Sequence, residues 1–510
     1  MGDQALREKE NRQLTGRTAA GATLLIASRL ATKAIDFATL LVLARLLTPA
    51  EFGFVAVGMT LIFIVEAIFE LPIYEVLMRQ DITREHLDTA YTLGIIRGIL
   101  LAIVLAALAV PFSIFYGDPR LIWLVSLLSL APAMRGLTNP RLALYGQKLD
   151  FRRDMIIEVL SKIAASILSI TAAIVWRDYR AIIVGTLATP AFLIIVSFCI
   201  APYRPKLTLR AWPIFSAFVG WSTGSQILAA LNWQCDRLIL AKFVDHTRLG
   251  DYSLANDLSY LPEQALIKPI IRPLLSAFAE IKEEGKRLSS AYVKASTSIL
   301  AIGLPVMVGL SMLAHPAVAV ALGAKWDRAV PILQWLSLSL IPPLFTAPFP
   351  SLAMALGKPE LVTRQSATEA IVKLPLVTLG AIFFAIPGVV VARFASTILV
   401  LFVSLFYVRR LIGTPIYRQL SSAWRVVVSG AMLAVTLQLL RPLLEGWSIP
   451  VTAVLLLAAA SAGMVAYLVT LAVLWHFSHR PEGIEHAVYE RFRLLTNRIR
   501  RVEPTPESSD

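Results

Sequence analysis

The chain is a series of apolar runs of about twenty residues, separated by short charged connectors. Twenty residues is the length at which an α-helix crosses the hydrocarbon core of a bilayer. About fourteen such runs predict spans at 18–44, 52–78, 89–112, 120–144, 154–176, 180–201 and 213–243. The series continues at 250–275, 289–314, 328–353, 361–385, 387–408, 421–440 and 450–476. Hydrophobic residues make up 57% of the chain and charged residues 16%, a balance soluble domains rarely show. The expected class is an all-α, polytopic membrane protein.

A net charge of +14 raises the question of nucleic acid. Its placement excludes that partner, because the cations concentrate in alternate connectors, as the positive-inside rule requires of a membrane protein. Arg7, Lys9, Arg12 and Arg17 mark a cytoplasmic N-terminus, and Lys148 to Arg153, Arg204 to Arg210 and Arg409 to Arg418 mark cytoplasmic connectors. The tail from Arg480 falls on the same side, so both termini are cytoplasmic, as an even number of spans demands. Apolar residues at Ile484, Val488, Phe492, Leu495, Ile499 and Val502 suit an amphipathic helix on the lipid surface, or equally a solvated tail helix.

One stretch occurs twice. Ala44 to Gly53 lies over Ala241 to Gly250, and the same offset carries Glu66 onto Glu263 and Pro72 onto Pro269 without a gap. A cation, a glycine, an intramembrane acid and a proline in register predict an internal duplication. Six spans separate the copies, so the halves run in parallel. The expected organisation is a cytoplasmic segment 1–17, an N-lobe 18–201, a linker 202–212 and a C-lobe 213–408. Two further spans at 409–476 and a cytoplasmic tail at 477–510 follow.

Ionisable side chains inside spans are costly and usually face protein or a wet cavity. Arg29, Lys33 and Asp36 share one face of the first span. Arg97 lies in the third, Asp154, Glu158 and Lys162 in the fifth, and Glu369 and Lys373 in the eleventh. Asp236 with Arg237 lies in the seventh span, and Asp257, Lys268 and Arg272 in the eighth. Arg29, Lys33, Arg97, Lys268 and Arg272 are the candidate cations for an anionic ligand, since Arg and Lys hold phosphate by charge-assisted hydrogen bonds. Lys268 and Arg272 equally suit simple snorkelling to the interface. Asp36, Glu66, Asp236, Asp257 and Glu263 are candidates for coupling or gating; Asp36 as a counter-ion of Arg29 and Lys33, and Glu66 and Glu263 as hydrogen-bonded structural groups, are the alternatives. Arg45 and Lys242 are expected to fix the turns before Gly53 and Gly250.

Signals for catalysis are missing. There is no Walker-type glycine loop, no His-Glu-x-x-His and no Asp-x-Asp, and no connector is long enough for a catalytic domain. Cys199 and Cys235 both fall in spans and suggest neither a disulfide nor a metal site. No cofactor is expected.

Arg45-Leu46-Leu47-Thr48-Pro49-Ala50-Glu51-Phe52-Gly53 resembles the signature after the first span of the Wzx-type polysaccharide flippases, a family of the multidrug/oligosaccharidyl-lipid/polysaccharide exporter superfamily. Asp236 to Lys242 with Leu249-Gly250-Asp251-Tyr252 is similar to the matching seventh-span signature, and Gly146 to Arg152 to the basic loop before the fifth. Gly323-Ala324-Lys325-Trp326 and Leu356-Gly357-Lys358-Pro359 resemble later landmarks. The resemblance implies two pseudo-symmetric six-helix lobes of MATE/MOP type with two C-terminal helices beyond. It also implies translocation of an undecaprenyl-diphosphate-linked oligosaccharide from cytoplasm to periplasm in the inner membrane. Membrane lipids, a polysaccharide polymerase and chain-length or export machinery are the further partners it suggests. A drug or metabolite exporter of the same superfamily, and a membrane polymerase or ligase, are the competing readings.

Overall fold

The structure, a computed structural model, describes residues 27–71, 73, 76–77, 82–147, 151–444 and 446–478. The segment 1–17, Pro72, residues 148–150 of the basic connector and the tail beyond residue 478, with its expected amphipathic helix, lie outside the described residues. Among the described residues the secondary structure is helical throughout. The chain is a multi-span membrane protein: nine of these helices are long and apolar enough to cross a bilayer.

The helices that position the site are α1 (27–46), α2 (Pro49–Ile68), α3 (Arg84–Tyr116), α4 (Arg120–Leu128), α5 (Leu130–Arg135), α6 (Leu142–Gln147), α7 (Phe151–Trp176), α8 (Arg180–Ile200), α9 (Trp212–Phe243) and α10 (His246–Pro262). They are followed by α11 (Gly285–Met312), α12 (Ala314–Ala321), α13 (Ala329–Ser339), α14 (Glu360–Ile412), α15 (Trp424–Leu440) and α16 (Ile449–Phe477). Their ends are written in local sequence. At α2, Pro49 occupies the first turn, and both the backbone N–H and the hydroxyl of Thr48 donate to Glu51, at 2.6 and 2.8 Å. Proline there loses no hydrogen bond, and the carboxylate takes up a donor the helix leaves unpaired. Thr83 and His86 make the equivalent reciprocal pair at the start of α3, and Gly117 at φ +73° closes its other end.

Two expected spans are broken. The region 120–144 is divided among α4, α5 and α6, and the eighth span loses regular pitch after Pro262, passing through a π-helical turn at Glu263–Ile267 before Lys268–Ile271. A π turn of this kind is often found at functional sites. The break expected between residues 385 and 387 is a reversal inside α14, where Ala385 adopts φ +50° and Pro387 follows.

The chain divides into two compact units. Unit 1 comprises Met1–Asp257, Ala321–Ile332 and Ser366–Arg393; unit 2 comprises Leu258–Val320, Leu333–Gln365 and Phe394–Asp510. In unit 2, Leu300, Leu304 and Met307 of α11 form one core with Leu433 and Leu437 of α15 and Tyr467 and Leu471 of α16. The Tyr467 hydroxyl donates to the Ala301 carbonyl at 2.9 Å, which satisfies a buried polar group inside that core.

In unit 1 the linker after α8 is strapped to α3. Lys206 N–H donates to Asp88 Oδ1 at 2.8 Å and the Tyr203 hydroxyl to the same oxygen at 2.5 Å. Thr208 N–H donates to Thr92 Oγ1 at 3.0 Å and Ala211 N–H to Thr89 Oγ1 at 3.3 Å. Burial together with this carboxylate neighbour raises the Tyr203 phenol above its ordinary range.

The opposite end of unit 1 gathers the connectors that alternation places on the non-cytoplasmic side. Gly53 and Gly250, the glycines of the duplicated stretch, meet there backbone to backbone. Arg45 and Lys242, expected to fix the turns that follow them, each reach a distant carbonyl. Arg45 Nε donates to the Ala321 carbonyl at 2.8 Å and Lys242 to the Phe115 carbonyl, each reaching the C-terminal end of another helix. That end carries unpaired carbonyls and the negative pole of the helix, so a cation is favoured there. Lys325 does the same for α1, donating to the Arg45 and Leu47 carbonyls at 2.7 and 2.6 Å, while Trp326 Nε1 donates to the Ala44 carbonyl at 2.8 Å. Loss of water pulls the Lys325 ammonium below its usual value. Asp118 accepts from Arg120 Nη2 at 2.8 Å and lies 3.1 Å from His246 Nε2; the Arg120 hydrogen bond is the main reason its carboxyl is lowered from 3.8 to about 2.

Candidate functional site

A cavity of about 470 Å³ opens within unit 1 among α1, α2, α5, α7 and α8. Its charged lining is Asp36, Arg135 and Lys162. Lys162 Nζ donates to Asp36 Oδ1 at 2.7 Å, and Arg135 Nη1 lies 2.9 Å from Glu66 Oε1. Helical spacing brings the α1 residues together: Asp36, Leu40 and Leu43 fall on one stripe and line the wall. Thr39 joins them, with its hydroxyl oxygen 2.7 Å from the Ile35 carbonyl and 2.8 Å from Ser166 Oγ. Small residues let the walls approach. A Cβ on Gly185 of α8 would lie 2.6 Å from Ser169 Oγ of α7.

Arg29 and Lys33 extend that α1 stripe by two turns. Arg29 is exposed and Lys33 half-exposed, and neither side chain has an ion pair or hydrogen bond among the described residues. The expected counter-ion, Asp36, is engaged by Lys162 instead. Arg97 is paired with Glu70 and also donates through Nε to the Phe69 carbonyl at 2.8 Å, closing the C-terminal end of α2. Lys268 and Arg272, in unit 2, are both exposed. Glu263 opens the π-helical turn and is half-buried.

A second polar cluster in unit 1 is fully buried. Asp236 lies between Lys373 Nζ at 3.1 Å and Arg393 Nη1 at 3.2 Å, and accepts from the Tyr252 hydroxyl at 3.0 Å. Lys373 also donates to the Asn232 carbonyl at 2.6 Å, and Arg393 to Asn256 Oδ1 at 2.6 Å. Two cations and one carboxylate out of water hold together only while every partner stays in place. Asp257 is paired with Arg237 beside this cluster. Four of the acids picked out for coupling, Asp36, Glu66, Asp236 and Asp257, are therefore each held by a cation. Arg393 was not among the sequence candidates, although an arginine inside the apolar run 387–408 was the signal that could have found it. Cys235 is buried beside Asp236, Cys199 is exposed, and the two are free thiols.

A sequence profile described as "Polysaccharide biosynthesis protein" matches residues 42–331. The succinoglycan biosynthesis transport protein ExoT of Rhizobium meliloti (strain 1021) is 25% identical over 464 residues, which is 88% of this chain and 91% of that protein. The lipopolysaccharide biosynthesis protein WzxC of Escherichia coli (strain K12) is 25% identical over 392 residues, 75% of this chain and 79% of that protein. Among solved structures, the lipid II flippase MurJ in an inward closed conformation superposes with a TM-score of 0.66 at 15% identity, covering 91% of this chain and 100% of that one. An inward-facing multidrug resistance MATE family transporter of the MOP superfamily gives 0.56 at 15% identity, over 76% of this chain and 99% of that one. The fold is thus of the MurJ and MATE kind.

Proposed function

This chain belongs to the polysaccharide biosynthesis protein family, and on that premise we propose that it is a flippase for a polyprenyl-diphosphate-linked oligosaccharide. The lipid-linked unit is taken from the cytoplasmic leaflet and delivered to the periplasmic leaflet of a bacterial inner membrane by alternating access. The polymer made from it is an exopolysaccharide, capsule or O-antigen, with a polymerase and export machinery acting downstream. The names of ExoT, a succinoglycan transport protein, and WzxC, a lipopolysaccharide biosynthesis protein, support this direction.

The observation that supports the reading is the state of Arg29 and Lys33: two cations on α1, in the apolar run 18–44 of the sequence, without an ion pair or hydrogen bond among the described residues. A diphosphate entering the membrane loses hydration worth many kcal/mol, and unpaired cations offset that loss. They also disfavour the cationic compounds of a drug exporter. Arg97, already held by Glu70, and the exposed Lys268 and Arg272 take supporting parts. Outward movement of the anion follows an inside-negative potential, worth about 2.3 kcal/mol per charge per 100 mV. Proton counter-transport through Glu66 or Glu263 is the rival source of drive.

A deletion strain tests the proposal directly. Lipid-linked oligosaccharide should accumulate on the cytoplasmic leaflet, and sugar analysis of it identifies the cargo. Undiminished polymer at the cell surface, with no such accumulation, would refute the reading.

A further inference from the structure

The cavity at Asp36 carries no net charge. Its two cations, Lys162 and Arg135, are each met by a carboxylate, Asp36 at 2.7 Å and Glu66 at 2.9 Å. A diphosphate placed there would find no surplus positive charge to replace its lost hydration. The cavity is therefore chemically different from the Arg29–Lys33 stretch of the same helix.

What the cavity does offer is fixed hydrogen-bonding groups on an apolar wall. The hydroxyl protons of Ser169, Thr186 and Thr189 are committed to the Ala181, Ile182 and Gly185 carbonyls at 2.8, 2.8 and 3.0 Å. Their remaining capacity is to accept. Lys162 and Arg135 retain N–H donors, since an ammonium has three and a guanidinium five. A ligand that both donates and accepts at several neighbouring atoms fits this pattern. Leu40, Met59 and Phe63 supply the apolar wall, and Phe63 is 37% exposed. A pyranose presents hydroxyls around its rim and C–H groups on its face, so it matches both kinds of surface. The volume of about 470 Å³ lies within the roughly 300–1,000 Å³ usual for small-molecule sites.

Position narrows the ligand further. Thr39 lies about 9 Å beyond Lys33 along the helix axis, at 1.5 Å per residue. We propose that this cavity seats an uncharged hexopyranose, the sugar next to the diphosphate, while Arg29 and Lys33 hold the diphosphate itself; this rests on the flippase reading. Selection of the cargo then begins at its reducing-end sugar.

The test uses the full chain in nanodiscs with Cys199→Ser and Thr186→Cys, leaving the buried Cys235 in place. The rate of maleimide labelling at position 186 is measured with methyl glucopyranoside, methyl galactopyranoside, methyl glucuronide or inorganic pyrophosphate as probe. A neutral glycoside should slow labelling severalfold, and pyrophosphate should not. Asp36→Asn should weaken that protection about tenfold, as loss of a charged hydrogen-bond partner does, whereas Lys33→Ala should leave it intact. Thr189→Val, close in shape, should weaken it without unfolding the protein. Protection by pyrophosphate, stronger protection by the glucuronide than by neutral glycosides, or no protection by any glycoside up to its solubility would overturn the assignment. Translocation of lipid-linked oligosaccharide in inverted vesicles is read separately. Failure there with glycoside protection intact removes the flippase reading alone, and translocation without protection removes the sugar site alone.

Discussion

Gly53 and Gly250 occupy each other's missing side-chain space. A Cβ on Gly53 would lie 1.8 Å from the His246 carbonyl oxygen, and one on Gly250 would lie 1.8 Å from the Pro49 carbonyl oxygen. The duplication offset sets Pro49 over His246 and Gly53 over Gly250, so the contact maps onto itself like an isologous interface. Replacing either glycine with alanine forces backbone apart, because no flexible side chain can yield. Gly53→Ala and Gly250→Ala should each lower the melting temperature in detergent by several degrees. The double variant should cost less than the sum, since both relieve one contact; strict additivity would show that the two do not share it.

The buried Asp236 cluster should be the most fragile polar feature of unit 1. Asp236→Asn removes the carboxylate that lies 3.1 Å from Lys373 and 3.2 Å from Arg393, at a cost of about 3–5 kcal/mol for breaking a buried pair. Thermal denaturation followed by size-exclusion fluorescence should show a large loss. Adding Lys373→Met should recover part of it, because it lowers the excess positive charge left in the buried cluster.

The unpaired cations of α1 should matter for export and little for folding. Arg29→Ala and Lys33→Ala should each reduce polymer output at least tenfold, the scale of one lost charge-assisted contact, with membrane insertion unchanged by quantitative blotting. Lys268→Ala and Arg272→Ala should have milder effects if those side chains reach the interface. Normal output from both α1 variants would remove the diphosphate assignment.

The end of unit 1 that holds Asp118, Arg120 and His246 should loosen in acid. Asp118 titrates near 2 in the folded protein and near 3.8 unperturbed. A carboxylate lowered by folding contributes stability that is complete above its unfolded value and is lost as the pH falls through the folded one. The stability difference between the native chain and Asp118→Asn should therefore be largest above about pH 5, shrink as the pH falls below that, and be lost only below about pH 2. Melting curves across that range measure it; a difference that grows on acidification would contradict the Arg120 pairing.

Helix content and the reversal near Ala385 were legible because each depends on neighbours in sequence: apolar length and a proline at 387. The intramembrane acids stood out for the same reason, since a carboxylate in lipid needs a partner wherever it lies. The partners themselves were not legible. Asp36 meets Lys162 across 126 positions and Asp236 meets Arg393 across 157. Periodicity says which residues share a helix face, but not which helix faces them. The carbonyls that Arg45 and Lys242 reach were hidden on the same ground, because they belong to helices remote in sequence.

The strap from Tyr203 to Ala211 has a consequence for biogenesis. Its side-chain acceptors, Asp88, Thr89 and Thr92, all precede its donors in the chain. By the time residue 212 leaves the ribosome, everything needed to lock that segment has already been synthesised. The first part of the molecule can settle before the second enters the membrane, and the newborn α9 then starts from a fixed anchorage.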